Sequence, residues 1–219
     1  MVWCSGPMDA FHRDRSPGWA KIDVPLLSAG NWGGQGLHLR GNVEGFVRSA
    51  LALKLFVASA TKDADIFAVV RVFDPEGVEV TFQGAIDPHN PIAQRWLRAS
   101  LRSLDLDVSL PYRPYHTHDR GEPLTPSEVY ELDVEIWPTS IVVPAGYRLG
   151  LTVRGNDYEY EGDLGDASLT TFKNRLTGCG PFLHDDPQDR PEEIFGSRVS
   201  IHTGPGALSR LLVPVIPGS

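Results

Sequence analysis

The clearest alternation of apolar and polar side chains lies between residues 129 and 157. The apolar positions of its first half are Tyr130, Leu132, Val134 and Ile136. Those of its second half are Tyr147, Leu149, Leu151 and Val153. A period of two residues is typical of a strand with one face in a core and one in water. Residues 143–146 have Pro second and Gly fourth, as in a type I turn, so this stretch predicts a central pair of strands.

Other runs extend the β pattern over most of the remaining chain. Leu53, Leu55 and Val57 alternate with polar or smaller residues and predict a strand. Residues 66–82 predict a β-hairpin, because Asp-Pro-Glu-Gly at 74–77 is a turn sequence between two apolar runs. Further strands are predicted at residues 94–101, 168–172, 198–202 and 208–216. The fold class that follows is mainly β.

The first 50 residues have a different pattern. Residues 21–30 form a short apolar run closed by glycine, which is typical of a buried parallel strand, and a glycine-rich loop follows at 31–36. Residues 38–52 are consistent with a helix whose apolar face carries Val43, Phe46, Val47 and Ala50. This α/β character changes to an antiparallel β pattern near residues 49–52. We therefore expect two units, 1–50 and 51–219.

Composition and charge exclude several classes of function. The net charge of −8 and the absence of a cluster of Lys and Arg argue against a nucleic-acid partner. Only Cys4 and Cys179 are present, which argues against a disulfide framework and favours a reducing, cytoplasmic location. No apolar run reaches the roughly 18–20 residues that a membrane-spanning helix needs. We therefore expect no membrane partner.

Serine and histidine chemistry has little support in the motifs. The G-x-S-x-G nucleophile elbow is absent, and the nearest serines, Ser5 and Ser28, lack its flanking glycines. Two histidine sets, His116-Thr117-His118-Asp119 and His184-Asp185-Asp186, contain residue types that bind zinc, iron or calcium. Neither set has a defined metal-ligand spacing, so hydrogen bonding is the favoured role for both. The loop at 31–36 does not match a phosphate-binding motif and is interpreted as a tight turn.

Two features leave a ligand-binding role open. The long loop at 107–126 is rich in Pro, Tyr and His and is either functional or packed over the end of a sheet. Five aromatic residues could form a sugar-binding face, because aromatic rings stack on sugar rings: Trp96, Trp137, Tyr147, Tyr158 and Tyr160. Packing in the core is the favoured role for these five side chains.

Two parts of the chain resemble the X-prolyl dipeptidyl-peptidase and cocaine-esterase-like serine hydrolases. The first is DVPLLSAGNWGGQGLHLRGNVEGF at 23–46, and the second is residues 53–216, with YELDVEIWPTSIVVPAGYRLGLTVRG and CGPFLHDDPQDRP among its motifs. The resemblance implies that 51–219 form the C-terminal non-catalytic domain, a jelly-roll β-sandwich of galactose-binding-like type. It also implies that 1–50 are a remnant of the α/β-hydrolase domain.

The resemblance further implies that the catalytic triad is missing. The loop that often reads Gly-Trp-Tyr-Asp in such enzymes corresponds to residues 31–34 here, so Gly34 stands where the triad acid is expected. The serine would lie before Met1 and the histidine between Arg48 and Leu53. We therefore expect a truncated chain, inactive alone, with no catalytic, cofactor-binding or metal-ligating residue and no cofactor. The alternatives are a stand-alone carbohydrate- or ligand-binding module, a subunit completed by a separate hydrolase-core polypeptide, and a homo-oligomer formed through exposed strand edges.

Overall fold

The computed structural model of the chain describes residues 51–84, 87–137, 139, 141–164, 176–181 and 183–213. Several sequence predictions lie outside the described residues. These are the parallel strand at 21–30, the loop at 31–36, the helix at 38–52 up to residue 50, and the strand at 168–172.

The described residues contain eight strands and little helix. The strands are β1 (Leu51–Ser59), β2 (Asp65–Phe73), β3 (Glu79–Val80), β4 (Ala93–Arg98), β5 (Tyr130–Ile136), β6 (Arg148–Arg154), β7 (Val199–His202) and β8 (Arg210–Leu212). A 3-10 turn at Ala99–Leu101 follows β4, and one helical turn, α1, covers Glu192–Phe195. The prediction of a mainly β protein is confirmed for this part of the chain.

The strands form two antiparallel sheets of four strands each. In sheet A, β1 pairs with β5 along one edge and with β7 and β8 in turn along the other. In sheet B, β2 pairs with β6 along one edge and with β4 and β3 along the other. One edge of each sheet is therefore a single strand interrupted by a loop, at residues 203–209 in sheet A and 81–92 in sheet B. In sheet A the hydroxyl of Ser209 accepts a hydrogen bond from the Phe56 N–H at 3.1 Å.

The apolar core lies between the two sheets. Every second residue of β1 faces it, and β5 contributes Leu132, Val134 and Ile136, each at most 1% exposed. Sheet B contributes Ile66, Ala68, Val70, Ala93 and Leu97. The period-two patterns of residues 53–57 and 130–136 are thus confirmed, because one face of each strand is buried against the opposite sheet.

The predicted pairing of residues 130–136 with 148–154 is wrong. β5 pairs with β1 in sheet A, whereas β6 pairs with β2 in sheet B, so the chain between them crosses from one sheet to the other. The predicted turn is also displaced by one residue. The Tyr147 N–H donates to the Pro144 carbonyl at 3.1 Å, and Gly146, at the third position, has a φ of +88°. A positive φ at the third position is typical of a type II turn, so residues 144–147 form a type II turn rather than the predicted type I turn at 143–146.

The inward direction predicted for β6 is correct, but its burial is not. Leu149 and Leu151 lie opposite Val72 and Val70, which are buried, so they point to the inner face of sheet B. Their side chains are nevertheless 48% and 38% exposed. The alternation of residues predicts which face a side chain occupies, but it cannot show whether the opposite sheet reaches far enough to cover it.

The remaining predicted elements within the described residues agree with the structure, apart from the end of one strand. The hairpin of β2 and β3 closes at residues 74–77, where the Gly77 N–H donates to the Asp74 carbonyl at 3.1 Å. β4 covers residues 94–98 of the strand predicted at 94–101, but residues 99–101 form a 3-10 turn instead. β7 covers residues 199–202 of the strand predicted at 198–202. β8 is the described part of the strand predicted at 208–216.

Candidate functional site

The main polar cluster of the described residues joins sheet B to the segment at 176–181 and 183–195, which we call the strap. The strap lies on the outer face of sheet B. Phe67 alternates with the core residues Ile66 and Ala68 and so points to that outer face, where its ring meets that of His184 at a centroid distance of 5.4 Å. Nearby, the Gln94 side-chain amide donates to the Gly178 carbonyl at 2.8 Å.

One end of the strap is held by Asp87, which is 1% exposed. One oxygen of its carboxylate accepts hydrogen bonds from the N–H groups of Gly178 and Gly180, both at 2.7 Å, and the other accepts from the His89 N–H at 2.8 Å. Gly178 has a φ of +116°, and a Cβ there would lie 2.4 Å from the Tyr158 ring. Only glycine fits, because this backbone conformation and this close approach both exclude a side chain.

A second attachment pairs His184 with Asp157. The two oxygens of Asp157 accept hydrogen bonds from the His184 backbone N–H at 2.6 Å and contact its ring Nδ1 at 2.8 Å. Burial opposes ionisation of Asp157, but the hydrogen bonds and charge of His184, helped by Arg190, hold the pKa of this carboxyl below its usual range. Asp157 therefore remains a carboxylate at neutral pH.

The third attachment centres on Asp65, whose side chain is 6% exposed. Arg98 donates to both of its oxygens, at 2.9 and 3.1 Å, and the Arg190 Nε donates at 2.8 Å. Arg98 also donates to both oxygens of Asp189 at 2.9 Å, and these carboxylates raise its already high pKa. The two guanidinium groups and two carboxylates fix the strap to the start of β2.

The His184–Asp157 pair has the geometry of the acid and base of a catalytic triad, in which a carboxylate orients one ring nitrogen. Its surroundings differ from those of a catalytic base. The ring of His184 packs against the rings of Trp96, at 4.5 Å, and Phe67. Within the described part of the chain, no serine or cysteine side chain hydrogen-bonds to it. The pair therefore holds the strap in place. For residues 184–186 the sequence analysis favoured hydrogen bonding over metal binding.

Cys179 is the other residue of the strap with nucleophilic potential. Its thiol donates to the Tyr158 carbonyl at 2.9 Å. Burial, together with the neighbouring negative charge of Asp157, raises the pKa of the thiol to about 12. Since the thiolate is the reactive form, Cys179 is an inert thiol at neutral pH.

The second histidine set lies where β4 meets β5. The rings of His116 and His118 are 5.8 Å apart and line a cavity of about 20 Å³ with Arg95, Trp96 and Glu135. The Nε2 of His116 is buried and has no hydrogen-bond partner among the described atoms. Burial lowers the pKa of His116 to about 4, with smaller effects from His118 and Arg95. The volume suffices for one water molecule and is far below that of a sugar site.

The structure separates the residues that the sequence suggested for metal or sugar binding. No cluster of three or more His, Cys, Asp or Glu side chains that could hold a metal occurs in the described residues. Trp96 and Trp137 both flank Arg95, whereas Tyr158 is buried and hydrogen-bonds to Glu79, and Tyr160 stacks on His89. Ser5, Ser28, the loop at 31–36 and Gly34 lie outside the described residues.

Sequence reasoning missed the residues that organise this cluster. Asp65, Asp87 and Arg98 carry no motif, and Asp157 is only the last residue of the alternating stretch at 129–157. Their partners lie far along the chain: Asp65 and Arg190 are 125 residues apart, and Asp87 and Gly178 are 91 apart. A buried carboxylate bound by distant groups leaves no local pattern, so no signal in one sequence identifies it.

The fold and the cluster define a β-sandwich domain in which buried carboxylates attach a long strap to one sheet. The family model for the X-Pro dipeptidyl-peptidase C-terminal non-catalytic domain matches residues 49–173, and the chain belongs to this family. No helix of the described residues is long and apolar enough to cross a membrane.

Similar proteins include hydrolases much longer than this chain. A protein of Mycobacterium bovis named "Putative serine esterase" is 31% identical over 116 residues, which are 51% of this chain and 17% of that protein, and one of Mycobacterium tuberculosis has the same values. Two crystal structures of a CocE/NonD family hydrolase from Staphylococcus aureus share the fold with a TM-score of 0.57, at 24% and 25% identity. The matches cover 76% and 77% of this chain but 28% of the hydrolase.

Proposed function

We propose that this chain is the accessory domain of a serine hydrolase that cleaves X-Pro peptides or acyl esters, and that it has no active site of its own. Residues 51–219 form the jelly-roll sandwich of galactose-binding-like type in this proposal, and residues 1–50 are a remnant of an α/β-hydrolase domain. The observation that carries it is the match of residues 49–173 to a non-catalytic C-terminal domain.

The lengths of the relatives support this assignment. The matched part corresponds to 17% of the mycobacterial proteins and 28% of the staphylococcal hydrolase, so most of each relative lies outside the region of similarity. The chemistry of the described residues also supports this assignment. His184 packs on the rings of Trp96 and Phe67 with no serine or cysteine bonded to it among the described residues, and the thiol of Cys179 is protonated at neutral pH. Neither side chain therefore belongs to a working pair of nucleophile and base.

The test is covalent labelling of the purified chain with a fluorophosphonate probe, which reacts with activated serines. We expect no stoichiometric labelling and no hydrolysis of Ala-Pro-p-nitroanilide or p-nitrophenyl acetate above the buffer rate. A full-length CocE/NonD family hydrolase serves as the positive control. Labelling of one serine per chain, located by mass spectrometry, would show that the chain has its own active site.

A further inference from the structure

Two histidine rings meet at the cavity between β4 and β5. His116 and His118 lie two residues apart on the segment that joins these strands, and both line the cavity of about 20 Å³. Their ring centroids are 5.8 Å apart. His118 has a φ of +50°, a left-handed backbone conformation that is uncommon outside glycine and that recurs at ligand sites. The pair is therefore a candidate binding site.

The protein orients one ring nitrogen of His116 and leaves the other without a partner. The ring forms a hydrogen bond with the backbone of Asp133 in β5. Its Nε2 is buried and has no hydrogen-bond partner within the described part of the chain, so Nδ1 is the nitrogen that bonds to Asp133. Histidines that bind metals commonly have this arrangement, because a backbone carbonyl that fixes one nitrogen also directs the lone pair of the other. Nε2 is thus an oriented ligand atom.

The separation of the two rings suits one shared metal ion. A nitrogen–metal bond of about 2.1 Å puts the centroid of an imidazole roughly 3.2 Å from the metal, so two imidazoles on one ion have centroids about 5–6 Å apart. The 5.8 Å between His116 and His118 lies within this range. The ring of His118 forms no hydrogen bond within the described residues. Binding of an ion would therefore break no hydrogen bond of either ring within that part of the protein.

The charges around the cavity are compatible with a cation. Burial, with a smaller effect from the charge of Arg95, lowers the pKa of both histidines, so a metal ion does not compete with a proton at neutral pH. Arg95 repels a cation, but Glu135 lines the same cavity and its opposite charge offsets that of Arg95. Imidazole ligands favour zinc, copper and nickel over calcium and magnesium.

We propose that His116 and His118 bind a divalent ion of the zinc type, through the Nε2 of His116 and a ring nitrogen of His118. No group of three His, Cys, Asp or Glu side chains that could hold a metal occurs in the described residues, so water completes the coordination. Resident zinc centres have three or four protein ligands, and an ion held by two is exchangeable. This binding is additional to the proposed accessory role and does not depend on it.

The experiment is calorimetric titration of the full chain with zinc chloride at neutral pH, after treatment with a chelator that is then removed. We expect one zinc ion per chain that requires both rings, with binding weaker by at least about tenfold in His116→Gln and in His118→Gln. His202→Gln is the matched control, because His202 lies on β7 in the other sheet and should leave the affinity unchanged. Urea unfolding, followed by tryptophan fluorescence, shows whether each variant is folded.

Nitrogen-15 NMR of the histidine rings identifies the atom that binds. We expect zinc to shift the Nε2 resonance of His116 and to leave its Nδ1 protonated. Zinc affinity that is unchanged in a folded His116→Gln variant would assign the ion to another place, and a loss in His118→Gln alone would mean that the ion does not enter the cavity. Absence of zinc binding by the unmodified chain would exclude the site. None of these results depends on catalytic activity, so the inference and the proposed function fail separately.

Discussion

At the scale of single residues, Asp87 and His116 show two ways in which this domain accommodates a buried ionisable group: hydrogen bonds to the charged form, and loss of the charge. Asp87 is satisfied, because three backbone N–H groups donate to a carboxylate that water does not reach. His116 is of the second kind, since its buried Nε2 lacks a partner. The difference follows from the cost of burying a charge. A carboxylate offsets this cost with several donors, whereas an imidazole with one unpaired ring nitrogen avoids it by losing its proton.

His116 predicts a pH dependence of stability. Its pKa is about 4 in the folded chain and about 6.5 when unfolded, so between these values the unfolded chain binds a proton that the folded chain does not. Stability from this group is therefore complete above about pH 6.5 and decreases as the pH falls toward 4. We expect a loss of about 2 kcal/mol in the free energy of unfolding between pH 7.5 and pH 5, measured by urea denaturation.

His116→Gln should flatten this dependence, because glutamine does not titrate. His118→Gln is the matched control. The side chain of His118 is largely exposed, and its partial desolvation, with the charge of Arg95, lowers its pKa in the same direction. A smaller flattening is therefore expected. The measured quantity is the change of the unfolding free energy with pH. A substitution that lowers the stability equally at every pH does not alter it. An unchanged slope in His116→Gln would contradict the assignment.

At the scale of elements, local patterns predicted the strands but not their partners. Leu53, Leu55 and Val57 identify β1, and Leu132, Val134 and Ile136 identify β5, because alternation depends only on neighbours in sequence. The pairing of β1 with β5 places Lys54 opposite Asp133, 79 residues further along the chain, and no local feature encodes that contact. The same limit applies to the strap, whose attachments to Asp65 and Asp87 also join distant residues.

The two faces of β5 should respond very differently to substitution. Leu132 is fully buried between the sheets, so Leu132→Ala should cost about 2–5 kcal/mol of unfolding free energy through lost contacts and a cavity. Asp133, the next residue, points outward and pairs with Lys54 at 2.8 Å in a partly exposed ion pair. Asp133→Ala should therefore cost at most about 1 kcal/mol. Equal losses in urea denaturation would mean that the register of β5 is wrong.

At the scale of the whole molecule, the domain has three layers rather than two. Sheet A and sheet B enclose the apolar core, and the strap covers the outer face of sheet B through polar and aromatic contacts. This arrangement explains why both faces of β2 are buried. Ile66 and Ala68 face the core, whereas Phe67 and Val69 point to the outer face of sheet B, which the strap covers. Sequence alone suggested a two-layer sandwich, because the strap has no periodic pattern.

The attachment of the third layer can be tested at Arg98, which binds one buried and one exposed carboxylate. Asp65→Asn removes the buried partner and leaves the guanidinium groups of Arg98 and Arg190 facing an uncharged amide. We expect a loss of about 3 kcal/mol in urea denaturation and faster proteolysis within the strap, since breaking a buried ion pair leaves uncompensated charge. Asp189→Asn is the matched control. The Asp189 side chain is 59% exposed, so its loss should cost at most about 1 kcal/mol. A similar small effect of both substitutions would show that the Asp65 cluster does not hold the strap, which would leave the attachments at Asp87 and Asp157 and the packing of His184 on aromatic rings.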